Sequence, residues 1–191
     1  YLKEMARVPL LTTEQEVAMG KEVAAKMIHY FKPFNNDKAL AYVRKVGRVV
    51  ALQSDRKDVK YRFDLLDTDD VNAFAAPGGY IFLTRGLLEN IQSEAQLAAV
   101  LAHEVGHVAG KHVVKQLETG QMVQAGLKRA ESFTSGSQYL DHVAKEILAR
   151  LIDRGLDHSS EYDADQRAAN YVYAAGYRPD GMVRFLNGMQ S

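Results

Sequence analysis

The stretch His103-Glu104-Val105-Gly106-His107 decides how this sequence is read. Two histidines four residues apart lie about 40° from each other on one helical face. Two neutral imidazoles one turn apart can hold one zinc ion from the same side. Glu104 follows the first of them directly, so it sits beside a metal rather than on it and can take a proton from an attacking water. The surrounding run from Leu97 to Val108 is mostly apolar. Placing three polar side chains in one buried turn is costly unless something compensates, and a metal ion does so.

A catalytic zinc site takes three protein ligands and keeps one open position. Extending the motif to HExxHxxGxxH would supply the third from the same segment. Gly110 stands where that pattern wants glycine, but Val113 occupies the histidine position and His112 comes one residue too early. The other source is a carboxylate on a later helix. Within Ser159-Ser160-Glu161-Tyr162-Asp163-Ala164-Asp165, Glu161 and Asp165 share a helix face that Ala164, Ala168 and Val172 continue. Small apolar residues let such a helix approach the His103 helix closely while presenting Glu161 as a ligand. Asp165, one turn on, is placed to accept the second N–H of a ligating histidine. Two other readings stand beside this one. His158 could be the third ligand, or Glu161, Asp163 and Asp165 could be an acidic helix start that only favours the macrodipole.

The rest of the chain sets the frame. It has 191 residues, 47% hydrophobic and 25% charged, which suits one globular domain over 1–191. Lysine plus arginine and aspartate plus glutamate both number 24, so the net charge is zero. That balance argues against a nucleic-acid surface and a polybasic membrane anchor, and the dispersed tyrosines form no stacking platform. There is no cysteine, which excludes disulfides, zinc ribbons, thiolate nucleophiles and iron–sulfur clusters. No apolar run approaches the roughly 18 residues of a membrane span. The first residue is Tyr1 rather than methionine, so we expect a processed or trimmed piece from which a leader, anchor or further domain was removed.

Thr12 followed by Gln15 reads as a capping box, predicting a helix to about Phe31 after an N-terminal extension over 1–12. A second helix over about 37–53 puts Leu40, Val43, Val46 and Val50 on one stripe. Residues 61–65 alternate as a strand. The runs 71–75 and 80–84 are two more, separated by Ala76-Pro77-Gly78-Gly79. Together they predict a small antiparallel sheet of three or more strands. Ser93 is the cap of a helix from Glu94 to about Lys115 that carries the HEVGH stretch. The polar segment 128–141 reads as a flexible loop, with an active-site lid as the alternative. Further helices fit about 142–153, 159–175 and 180–189. His29 and His142 read as solvated or capping groups.

Three features occur in a set order: Asn72-Ala73-Phe74-Ala75 before Pro77-Gly78-Gly79, then HEVGH with its trailing His112, then the Glu161-x-x-x-Asp165 pair. In this combination the chain resembles the zinc metallopeptidase family of the CAAX prenyl protease and HtpX, whose soluble bacterial members are minimal gluzincins. The similarity runs from about Thr13 to Met189. It implies an α+β, mostly helical zincin-like (minigluzincin) fold with the small sheet beside the HExxH helix. It also implies one zinc per chain on His103, His107 and Glu161, with Glu104 as the catalytic base. Asp165 and His112 would support the site from behind the ligands. Asn72, Ala73, Phe74 and Ala75 would be an edge strand lining the cleft, to which a polypeptide adds by main-chain pairing, rather than an ordinary strand beside a turn. Two departures stand out. The chain lacks the hydrophobic spans of the family's membrane members, and it lacks the arginine often found just ahead of the family's glutamate. The group that stabilises the oxyanion stays open among His158, Arg167, Tyr171 and Arg178.

The expected activity is a zinc-dependent endopeptidase acting on unfolded or extended polypeptides. The alternative is a peptide-binding or chaperone-like module with a latent or structural zinc site. The expected location is the periplasm or cell envelope, with the cytoplasm as alternative.

Overall fold

The computed structural model describes residues 11–119, 137–153 and 155–189. Helix α1 (Thr13–Phe31) begins at the expected box: the Gln15 amide N–H donates to Thr12 Oγ1, and the Thr12 N–H donates to Gln15 Oε1. Helix α2 (Asp37–Ala51) is capped by Asn36, whose side-chain oxygen accepts from the Ala39 N–H, and it buries Val43, Val46 and Val50.

Strands β1 (Arg62–Leu66), β2 (Ala73–Ala76) and β3 (Tyr80–Thr84) form one sheet in the order β1-β3-β2. The small sheet is present, but its expected antiparallel pairing is corrected to a mixed one. β2 runs antiparallel to β3, whereas β1 runs parallel to it. The chain reverses twice between β1 and β3, once over 67–72 and once through the 3-10 turn Pro77–Gly79, and two reversals restore direction. Alternation in a sequence says which face a side chain takes, not which way its neighbour runs. Gly78 in that turn has φ 71°, and a Cβ there would lie 2.6 Å from Val17 Cα, so the turn packs backbone to backbone on α1.

The central strand β3 is buried on both faces. Ile81 and Leu83 join one core with Val43, Val50, Phe63, Leu97 and Leu101; Phe82 joins another with Met19, Val23, Met27, Leu140 and Ile147. The sheet is thus a shared wall between two helical layers. After Thr84, which caps the short helix α3 (Arg85–Asn90), comes α4 (Glu94–Ala109), capped by Ser93. It lies in the first core with Leu97, Ala98, Leu101, Ala102 and Val105 all buried.

Helix α4 does not run on to Lys115 as expected. Lys111 takes φ 54°, in the left-handed region that ends a right-handed helix, and α5 (His112–Thr119) begins directly after it. Residues 128–136 of the expected loop lie outside the described residues. The part from Gln138 is helical instead, opening α6 (Gln138–Asp153). Helix α7 (His158–Ala174) is capped by Asp157, which accepts the Ser160 N–H, and α8 (Gly181–Gly188) follows. No helix among the described residues is long and apolar enough to cross a membrane.

Candidate metal centre

Helix α4 carries His103, Glu104 and His107 to the floor of a cleft, and the first turn of α7 faces them with Glu161. The two Nε2 atoms lie 2.9 Å apart. Glu161 Oε2 is 3.3 Å from His103 Nε2, and Oε1 is 3.6 Å from His107 Nε2. Among the described residues, this is the one group of three or more such side chains that could hold a metal ion. A tetrahedral zinc with bonds of about 2.0–2.2 Å spaces its ligand atoms about 3.3–3.6 Å apart; both Glu161 edges match that spacing, and the edge between the two rings is a few tenths of an ångström shorter. His158, the rival third ligand, is exposed at the start of α7 and outside this group.

The far nitrogens of both rings are engaged from behind. His103 Nδ1 lies 2.8 Å from Asp165 Oδ1, on the helix face expected from the sequence. His107 Nδ1 lies 2.9 Å from His112 Nδ1. His112 therefore lies beside His107, just past the break after α4. A Cβ on Gly110 would fall 2.2 Å from His112 Nε2, so the glycine leaves the room into which this ring folds back. Val113, in register for a third histidine, is buried instead in the core beneath α1.

Glu104 is 7% exposed, and burial pushes its pKa up, partly offset by His103 and His107. Glu161 is held well below the usual carboxylate range by its hydrogen bonds to His103 and then His107. Burial works to lower the His103 pKa, but Glu161, Glu104 and Asp165 outweigh it and bring it up to about 9. In the metal-free molecule, then, the carboxylates draw a proton into the site, which is what an anionic ligand set does for any cation.

Two cavities flank this group. The larger, of about 570 Å³, is mainly apolar and lined by Val100, Ala169, Val172, Met182, Phe185 and Leu186 among others. The smaller, of about 240 Å³, lies towards Leu151, Ile152 and Leu156. His103, Glu104 and Glu161 line both, as do Asn72 and Ala73; Phe74 and Ala75 line the smaller one. The order β1-β3-β2 puts β2 at the sheet edge, so the wall expected from Asn72 to Ala75 borders the cleft.

None of the four oxyanion candidates lines either cavity. Arg167 and Tyr171 both engage Asp55, and Arg178 pairs with Asp180. Sequence reasoning missed a second set of residues. Arg56 forms a two-pronged pair with the buried Glu16 at 2.7 and 2.9 Å and also donates to the Val108 carbonyl near the end of α4. Asp163 joins His112 to Arg167. The i,i+4 spacing of Asp163 and Arg167 was a readable signal. Nothing in the sequence connects Asp55 or Arg56 to the helices they hold.

The sequence model of peptidase family M48 matches residues 37–191. A short match to Sigma-70 factor, region 1.2, covers residues 1–27. A Vibrio cholerae protein provisionally named beta-barrel assembly-enhancing protease is 37% identical over 189 residues, covering 92% of this chain and 38% of its own length. The beta-barrel assembly-enhancing protease of Escherichia coli is 31% identical over 184 residues, with the same two shares. Metalloprotease YcaL of Escherichia coli is 27% identical over 170 residues, covering 88% of this chain and 62% of its own length. The chain therefore spans well under half of the first two relatives.

Proposed function

The chain belongs to peptidase family M48, and from that premise we propose that it is a zinc-dependent endopeptidase cutting unfolded or extended polypeptides. One observation carries this reading. Both histidine Nδ1 atoms are engaged by protein partners, while both Nε2 atoms and the Glu161 carboxylate converge, with the buried Glu104 beside them. His103, His107 and Glu161 would hold one zinc ion per chain. Bound there, it supplies Lewis-acid chemistry, acidifying water and polarising the carbonyl to be attacked.

Glu104 accepts the proton of the attacking water and returns it to the leaving amine. Burial raises its proton affinity, which suits a group that must take a proton and then give it up. Asp165 fixes the His103 ring. As an outer strand bordering the cleft, β2 would offer main-chain hydrogen bonds to an extended chain, and such pairing reads conformation more than sequence. The larger cavity adds a demand for an apolar side chain near the bond to be cut. Folded proteins bury such side chains and unfolded ones expose them, so strand edge and cavity together favour unfolded substrates.

The placement among small gluzincins of the CAAX prenyl protease and HtpX branch rests on the motif order described above. The bacterial relatives named for beta-barrel assembly support the cell envelope as its location.

The test is metal analysis joined to cleavage of an unstructured protein and of the same protein folded. We expect one zinc per chain, internal cuts in the unfolded form, loss of cutting with a chelator and recovery with zinc. Cleavage indifferent to the chelator would overturn the reading. Bound zinc without cleavage would favour the peptide-binding module.

A further inference from the structure

His103 and His107 are supported in different ways. His103 meets a carboxylate directly, but His107 meets a second imidazole. A carboxylate only accepts, so Asp165 by itself keeps a hydrogen on Nδ1 of His103. A neutral imidazole donates at one nitrogen and accepts at the other, so His112 decides nothing until its own far side is settled. That far side lies 2.9 Å from Asp163 Oδ2. The carboxylate accepts from His112 Nε2–H, which leaves the His112 Nδ1 lone pair to accept from His107 Nδ1–H. The His107 Nε2 lone pair then points into the metal site.

Asp163 is held in place in turn. The same Oδ2 accepts from Arg167 Nε at 2.7 Å, and the Arg167 guanidinium also donates to Asp55 at 2.9 Å. Asp55 lies in the connection between α2 and β1 and also accepts from the Tyr171 hydroxyl. Its neighbour Arg56 donates to the Val108 carbonyl at 3.2 Å, so the same connection holds the end of α4.

We propose that Asp163, anchored by Arg167 and Asp55, is a positioning residue that sets the tautomer of His107 through His112 and so keeps Nε2 of His107 available to a metal. The proposal rests on the zinc reading for its consequence, though not for the tautomer itself.

Two measurements test it. In the first, nitrogen chemical shifts of the imidazoles are read in metal-free protein by long-range proton–nitrogen correlation. We expect hydrogen on Nε2 of His112 and a bare Nδ1; hydrogen on Nδ1 of His112 would overturn the proposal. In the second, zinc affinity is measured by competition with a coloured chelator. Asp163→Ala should weaken binding by about 10–100-fold. Asp163→Asn, which keeps a carbonyl oxygen in place, should lose less and serves if the alanine variant does not fold. The double variant with His112→Ala should bind no more weakly than His112→Ala alone. Additive losses, or an Asp163→Ala affinity within about twofold of the parent, would overturn the relay. Melting of the metal-free variants separates this effect from plain destabilisation. A parent chain that bound no zinc would sink the metal reading, while the nitrogen shifts would still decide the tautomer.

Discussion

Gly106 and Ala164 meet where α4 crosses α7: a Cβ on Gly106 would lie 2.9 Å from the Ala164 carbonyl oxygen and 3.2 Å from its Cα. Backbone touches backbone at this point, one residue before His107 and one turn beyond Glu161. The crossing therefore sets how far Glu161 stands from the two rings. Gly106→Ala gains about 1 kcal/mol in helix propensity, but overpacking a tight contact costs about 1–3 kcal/mol. We expect a net loss of stability in urea unfolding together with weaker zinc binding.

Glu104→Gln keeps the size of a buried side chain and removes its basicity. The variant should retain one zinc per chain by metal analysis. Its cleavage of an unstructured protein should fall by about 10²–10⁴-fold, the usual share of a positioned base. Undiminished cleavage would remove Glu104 from that role.

Arg56→Ala leaves Glu16, 1% exposed, without its two-pronged partner. Breaking a buried pair from one side costs about 3–5 kcal/mol. The Gly78 N–H at 3.1 Å and Lys111 at 3.5 Å still face that carboxylate, which places the expected loss at the lower end. Denaturant unfolding of the metal-free protein measures it.

Acid should unfold the protein through carboxylates that the fold keeps ionised. Arg56, then Thr13, hold Asp58 below its ordinary range against some burial; Tyr171, then Arg167, do the same for Asp55. Their folded pKa values lie below the unfolded ones, so across that interval the unfolded chain binds more protons. The stability they contribute is present above about pH 4 and is lost as pH falls towards the folded pKa values. Melting temperature should decline below about pH 4. Asp58→Asn should melt lower at neutral pH and show a shallower acid decline.

Ala169 lines the larger cavity from an exposed position on α7. Ala169→Phe should narrow that space while leaving the core intact. Peptide products read by mass spectrometry should show cuts beside large apolar residues in the parent. In the variant they should shift towards small apolar ones. An unchanged cleavage pattern would separate this cavity from substrate choice.

The helix starts were legible because a cap is a local event: Thr12 with Gln15, and Ser93, satisfy N–H groups within one turn. The pairing of His103 with His107 was legible for a similar reason, since a spacing of four puts both on one helix face; that Glu161 stands opposite them was implied only by the resemblance in motif order. Sheet direction was not legible. The facing of Phe63 and Leu65 follows from alternation, whereas the parallel pairing of β1 with β3 depends on two reversals that alternation does not record. The end of α4 was not legible either. Lys111 is an ordinary helix former, yet it takes a positive φ, and the His112 ring that follows lies against His107 and Asp163.

The sequence by itself determined which residues could meet at the site and on which faces of α4 and α7 they stand, because helical periodicity acts over a few residues and needs no partner. Only the tertiary structure decided what stands behind them. Asp55 with Arg167, and Arg56 with Glu16, are pairs separated by 112 and 40 residues. Contacts of that range form only when packing brings distant segments together. For the same reason the orientation of His107, which hangs on Asp163 through His112, could not be read until α4 had ended, α5 had turned and α7 lay against both.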